Sequence, residues 1–268
     1  AVQAALLRVV LDKVVGDTVL DASRLSVVAI ANPVDVGGGF DLSLPLLNRF
    51  VHLDWNFEIE NWKRGMLSGW PDPKPFALPA GWESELYSTR ALIAGFLDKR
   101  PHLALNVPGT NGKAQGTPRA YPTPRSWDVA SRLLAAAKAV GGNKDDRLAV
   151  VAACIGDGAA IEFLRWEDAL DLPDPEALLA KPGSFKLPER GDQQYAVLGS
   201  VVAAAIRKLT NDRWLAAWEV IAAAAKQGGA DVAASAARAL AGVKRDGFTL
   251  PTKHVQALYP LLRATGEV

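Results

Sequence analysis

Leu25-Ser26-Val27-Val28-Ala29-Ile30-Ala31-Asn32-Pro33 is nearly continuous in apolar residues, with three of its first seven β-branched, and it stops at an Asn-Pro pair. That pattern predicts a strand buried on both faces of a parallel sheet, whose C-terminal end is where α/β sheets place their ligands. Upstream, Val2, Ala5, Leu6, Val9 and Val10 recur at helical spacing and form one apolar stripe. Gly16-Asp17, between Val14-Val15 and Val19-Leu20, predicts a small hairpin. Downstream of Gly37-Gly38-Gly39, the sequence predicts a short helix over Leu42 to Asn48 and a further strand over Phe50 to Phe57. Residues 1–60 therefore read as the second half of an α/β domain whose first half precedes Ala1, so the chain looks like part of something longer.

Four prolines between Trp70 and Gly81 exclude helix interior and central strand, and residues 61–82 read as a linker or rigid loop. Beyond it the pattern is almost wholly helical: Glu83 to Asp98, Pro124 to Val140, Asp145 to Ala153, Ala159 to Leu170, Asp192 to Thr210, Arg213 to Gln227, Asp231 to Ala241 and Thr252 to Ala264. Pro101, Gly141-Gly142, Gly156, Pro173 to Pro182, Gly228-Gly229 and Gly247 separate these segments. Runs such as Ala222 to Ala225 favour closely packed helices, and no fixed-period repeat is evident. The expected fold is an α/β remnant followed by a helical region over 83–170 and a helical extension over 171–268, predominantly α.

At 268 residues and 49% hydrophobic content the chain can bury a substantial core. Its 30 Lys+Arg against 29 Asp+Glu leave a net charge of +1, so no uniform basic field favours nucleic acid. Cys154 is the only cysteine, which excludes an internal disulfide and a cysteine metal cluster; a reducing, cytoplasmic setting is expected. No apolar run reaches the roughly 20 residues that span a bilayer. Charge is segregated locally. Arg90 to Lys138 holds eight Lys/Arg against Asp98 and Asp128, whereas Asp145 to Glu176 holds nine acids against Arg147 and Arg165. Either the basic section receives anions or both sections are solvated helix faces.

Three positions carry candidate chemistry. Asn32, directly after the expected strand, offers a carboxamide that can hold a water or a phosphate oxygen; the plainer alternative is an Asn-Pro turn. Arg49, in Leu46-Leu47-Asn48-Arg49-Phe50, brings an always-charged fork able to neutralise a transferred phosphoryl group, or serves as a surface ion-pair residue. In Tyr121-Pro122-Thr123-Pro124-Arg125-Ser126-Trp127, Thr123 fits an N-cap and Pro124 the first helical position. Arg125 then opposes the helix dipole in the first turn, where an anion would reconcile the two. Arg119 competes for the same role. His52, His102 and His254 lack metal-ligand spacing and read as structural, and Cys154 as a buried inert thiol. No Gly-x-Ser-x-Gly elbow occurs, and no acidic pair stands out as glycosidase-like. The eight tryptophans read as buried apolar mass rather than as platforms for bases.

In order and spacing, the Ala1 to Leu7 helix, Val27 to Pro33, Leu46 to Phe50 and Thr123 to Trp127 resemble the MoxR-like branch of the AAA+ ATPases. The resemblance implies that residues 1–60 are the C-terminal part of the α/β core and 83–170 the helical lid; 171–268 lies outside it. It further implies that Asn32 is the sensor 1 residue orienting the attacking water, that Arg49 is the arginine finger acting on a neighbouring subunit's ATP, and that Arg125 is the sensor 2 residue of the lid, acting in cis. ATP and Mg²⁺ are the implied cofactors. The implied assembly is a homo-oligomeric, hexameric ring that remodels a protein client, often with a von Willebrand factor A-domain partner. The chain departs from that pattern in having no Gly-x-x-x-x-Gly-Lys-Ser/Thr and no Asp-Glu dipeptide. The cradle for the triphosphate and its metal is thus expected in an upstream portion. The alternative is a nucleotide-independent helical module that binds protein.

Overall fold

The computed structural model describes residues 2–21, 26–31, 42–72, 75–109, 119–256 and 258. Helix α1 (Val2–Asp12) leads into the antiparallel hairpin β1 (Val14–Val15) and β2 (Thr18–Val19), which turns at Gly16-Asp17 as expected. α2 (Leu44–Leu47) and α3 (Ile59–Ser68) follow. The helical body then comprises α4 (Glu83–Lys99), α5 (Pro124–Ala139), α6 (Lys144–Ile155), α7 (Asp157–Asp168), α8 (Pro175–Ala180), α9 (Gly191–Arg207), α10 (Asn211–Lys226) and α11 (Ala230–Ala241). Residues 252–256 are helical; the rest of the helix expected to Ala264 lies outside the described residues, save the buried Leu258. The molecule is predominantly α.

Two expected strands do not form. Residues 26–31 are unpaired, with Val28 78% and Ile30 96% exposed, and residues 51–57 are likewise irregular, with Trp55 98% exposed. A strand apolar on both faces is stable only between neighbours that take its N–H and C=O groups and cover its side chains. Among the described residues the two-residue hairpin is the only sheet, and it pairs with neither segment. The stretch expected as linker over 61–82 also opens differently, because α3 occupies its first part.

Two buried clusters build the helical body. Leu92, Ile93 and Phe96 of α4 meet Trp127 and Leu134 of α5, Val151 and Ile155 of α6, and Phe163 of α7. Inside this cluster Phe96 stands edge-on to Phe163 at 5.3 Å, and Trp127 meets the same ring at 5.6 Å. The second cluster joins α8, α9, α10 and α11, with Trp214, Val201 and Ile221 at its centre. The α4–α9 seam links the two clusters, and small residues set its closeness. A Cβ added at Gly199 would lie 2.1 Å from Ala91 Cβ, and one added at Gly95 would lie 2.5 Å from the Asp192 carbonyl oxygen.

Candidate functional site

The N-terminus of α5 is fixed by its own sequence. Thr123 accepts from the Ser126 N–H at 3.1 Å, and its own N–H donates to Ser126 Oγ at 2.8 Å, which closes a capping box. Pro124 has no N–H, and the Trp127 N–H is taken by the Thr123 carbonyl at 3.0 Å. Arg125 therefore carries the remaining backbone donor of the first turn. Trp127 roots the helix, its ring N–H donating to the Leu103 carbonyl at 2.8 Å.

Residues 44–52 are fastened to this helix start and to α6. The Tyr121 hydroxyl donates to the Leu44 carbonyl at 2.7 Å, and the Thr123 hydroxyl donates to Asn48 Oδ1 at 2.9 Å. The His52 N–H donates to the Ala153 carbonyl at 2.9 Å, while its ring Nε2 lies 2.9 Å from the Leu47 carbonyl. Buried Leu46 and Leu47 complete the attachment. Arg49 thus sits against α5 and α6.

A small cleft of about 30 Å³ opens there, lined by Asn48, Arg49, Phe50, Arg125, Ser126, Val129 and Cys154. A whole nucleotide-sized ligand takes several hundred Å³, so this space suits the end of one. Burial pushes the Arg49 guanidinium down from its ordinary pKa, and the neighbouring Arg125 charge pushes it further. Burial raises Tyr121, partly offset by Arg49 and Arg125. Arg49 donates through Nη1 to the Pro45 carbonyl, while its Nε is buried without a partner; Asn48 Nδ2 is likewise buried and unpartnered. Burial pushes the Cys154 thiol up to about 12, and it donates to the Val150 carbonyl at 3.3 Å, which leaves it an inert wall.

The local segregation of charge largely cancels in three dimensions. Arg100 pairs with Glu162, Lys138 with Glu167, Arg90 and Arg132 with Asp128, and Lys99 approaches Asp192 at 3.5 Å. Arg119, the competing candidate, pairs with Asp54 and does not line the cleft. Of the described basic residues in that section, Arg125 has no carboxylate partner among the described residues.

Of the three residues singled out from sequence, the structure brings Arg49 and Arg125 together at one cleft. Asn32 lies outside the described residues. Asn48 also lines the cleft, and Tyr121 anchors the neighbouring segment through the Leu44 carbonyl; the sequence placed each in a segment with a named arginine without indicating what it touches. Two guanidiniums, one of them with an orphaned Nε, and the orphaned Asn48 amide fit the oxygens of a terminal phosphate. They do not fit Mg²⁺, since no carboxylate lines the cleft and no group of three His, Cys, Asp or Glu able to hold a metal occurs among the described residues. No protein-family model matches the chain, nor does any curated protein or solved structure.

Proposed function

We propose that this chain is the C-terminal part of a MoxR-like AAA+ ATPase, which couples ATP binding and hydrolysis to the remodelling of protein clients. The observation that carries this reading is the shared cleft of Arg49 and Arg125, two cations pressed together with no carboxylate lining the space between them. Like charges so placed repel, and an anionic oxygen removes the cost. The bound nucleotide would supply the phosphoryl group and its leaving-group charge. Arg49 then neutralises that charge, and Arg125, with the first-turn donor of α5, orients the phosphate oxygens. Because both side chains line one cleft of the same chain, this reading gives them one phosphate tail, which departs from the action on a neighbouring subunit's ATP that the resemblance implies for Arg49. Asn32 would orient the attacking water, and Mg²⁺ would be held by acidic residues outside this cleft. A ring with a von Willebrand factor A-domain partner is the assembly this reading implies.

The test has two arms. Calorimetric titration of the chain with inorganic phosphate is expected to show weak, saturable binding that disappears in Arg49→Ala and in Arg125→Ala. In the protein expressed from its native start codon, Arg49→Ala is expected to lower ATP turnover on the order of 10³-fold. Phosphate binding indifferent to both arginines, or a native protein without a P-loop, overturns the proposal. A second reading, a nucleotide-independent helical interaction module, is favoured by the exposed Trp62 and Met66 of α3, with exposed Phe57 6.4 Å from Trp62. It predicts partner capture unchanged in the double arginine variant.

A further inference from the structure

We infer that Asn48 is a third ligand of the anion, a neutral donor set beside the two guanidiniums; this rests on the phosphate reading of the cleft and adds a residue to it. The carboxamide has two ends, and the structure uses only one. Its Oδ1 accepts from the Thr123 hydroxyl at 2.9 Å. The same hydroxyl also lies 3.2 Å from Ser126 Oγ, and its shorter contact, at 2.9 Å, is the one to Asn48 Oδ1. With Oδ1 taken by that hydroxyl at the start of α5, the NH₂ is left over. That Nδ2 is buried without a partner, as is the neighbouring Arg49 Nε, and both residues line the cleft. A buried donor left unmade costs about 1–3 kcal/mol, so two in residues that line one cleft mark a place completed by an acceptor.

The other polar groups around the cleft cannot be that acceptor. Ser126 Oγ lies 2.9 Å from the Tyr121 carbonyl, to which it donates, and accepts the Thr123 N–H. The Cys154 thiol is turned to the Val150 carbonyl. The remaining polar side chains that line the cleft are donors: Arg49, Arg125 and the Asn48 NH₂. Such a surface selects an oxyanion whose oxygens are all acceptors, such as the terminal group of a phosphate ester or free phosphate. Because the Asn48 orientation comes from Thr123, the start of α5 positions all three ligands at once.

The experiment is a titration of the full chain, labelled with ¹⁵N at asparagine, with inorganic phosphate, read in the side-chain NH₂ resonances. The Asn48 pair is the one that vanishes in Asn48→Asp. The expected result is a saturable downfield movement of that pair, with the same midpoint as the binding removed by Arg125→Ala. Asn48→Ser is expected to weaken phosphate by about tenfold. Arg125-dependent binding with the Asn48 pair unmoved overturns this inference and leaves the proposed function standing. Absence of any Arg125-dependent phosphate binding overturns both.

Discussion

Residues 2–76 and 83–258 contain similar proportions of apolar side chains but treat them in opposite ways. Among the described residues of the helical body the large apolar side chains are buried or half-buried, with Leu105, Val140, Ile161 and Leu250 the exposed exceptions. Among the described residues of the earlier region Leu46 and Leu47 are the buried large ones, while Val28, Ile30, Leu53, Trp55, Phe57, Trp62, Leu67, Trp70 and Phe76 face outward. The difference follows from the elements. A helix closes its own backbone hydrogen bonds and needs one neighbour on one face, which the next helix in sequence supplies. A two-faced apolar strand closes none of its own and needs partners that a two-residue hairpin does not provide. Burial is set by the availability of partners, not by hydrophobicity alone.

The largest effects are expected where partners are most complete. Phe163→Ala removes a ring that touches Phe96, Trp127 and Trp166, and should cost about 3–5 kcal/mol in urea unfolding. Gly199→Val should be comparably severe, because its Cβ would collide with Ala91 and force the two clusters apart at the α4–α9 seam. A shift under 1 kcal/mol in either variant would show that the body is not packed as a single unit.

A smaller effect, with a pH signature, is expected at Asp192. Burial raises its pKa, but hydrogen bonds from Arg190 and Trp166, with the Lys99 charge, override this and hold it at about 2, below the ordinary value of 3.8. The Trp166 ring N–H reaches it at 2.9 Å and Arg190 Nε at 3.0 Å, so α7 and the start of α9 converge on one carboxylate. Because the folded pKa is depressed, the stabilisation is complete above about pH 4 and is lost as pH falls towards 2. At neutral pH it amounts to about 2 kcal/mol. Asp192→Asn should remove that increment and flatten the acid limb of the stability profile between those limits; an unchanged limb would assign it to other carboxylates.

The helical body was largely legible in the sequence because its punctuation is local. Gly156 lies between α6 and α7, Gly229 precedes α11, and Thr123-Pro124 starts α5, each where the residue type predicts. α8 was hidden because the prolines from Pro173 to Pro182 read as breakers, although Asp174 caps it and Pro175 takes its first position. α3 was hidden because four prolines after Trp70 drew the irregular segment too far back. The strands over 25–31 and 50–57 were misread since β-branched content reports fitness for a sheet, not the presence of one. At the site, Arg49 and Arg125 were legible as residue types in suggestive settings. The orphaned Asn48 amide was not, because it arises only when Thr123, 75 residues away, takes the other end.

The smallest stability effect sharpens the comparison most. Replacing Val28, Ile30 and Trp55 together by serine removes large apolar groups that bury little surface, so the summed cost should stay below about 1 kcal/mol, within the range of surface substitutions. The same three changes in the helical body, at Val151, Ile155 and Trp127, would each leave a cavity and would together exceed the stability of an ordinary domain. Urea midpoints of the two triple variants measure the contrast directly. If the first triple variant falls by several kcal/mol, residues 26–57 are covered in solution. The same variant measured at two protein concentrations then says by what: a concentration-dependent loss points to another copy, and a concentration-independent one to the chain itself.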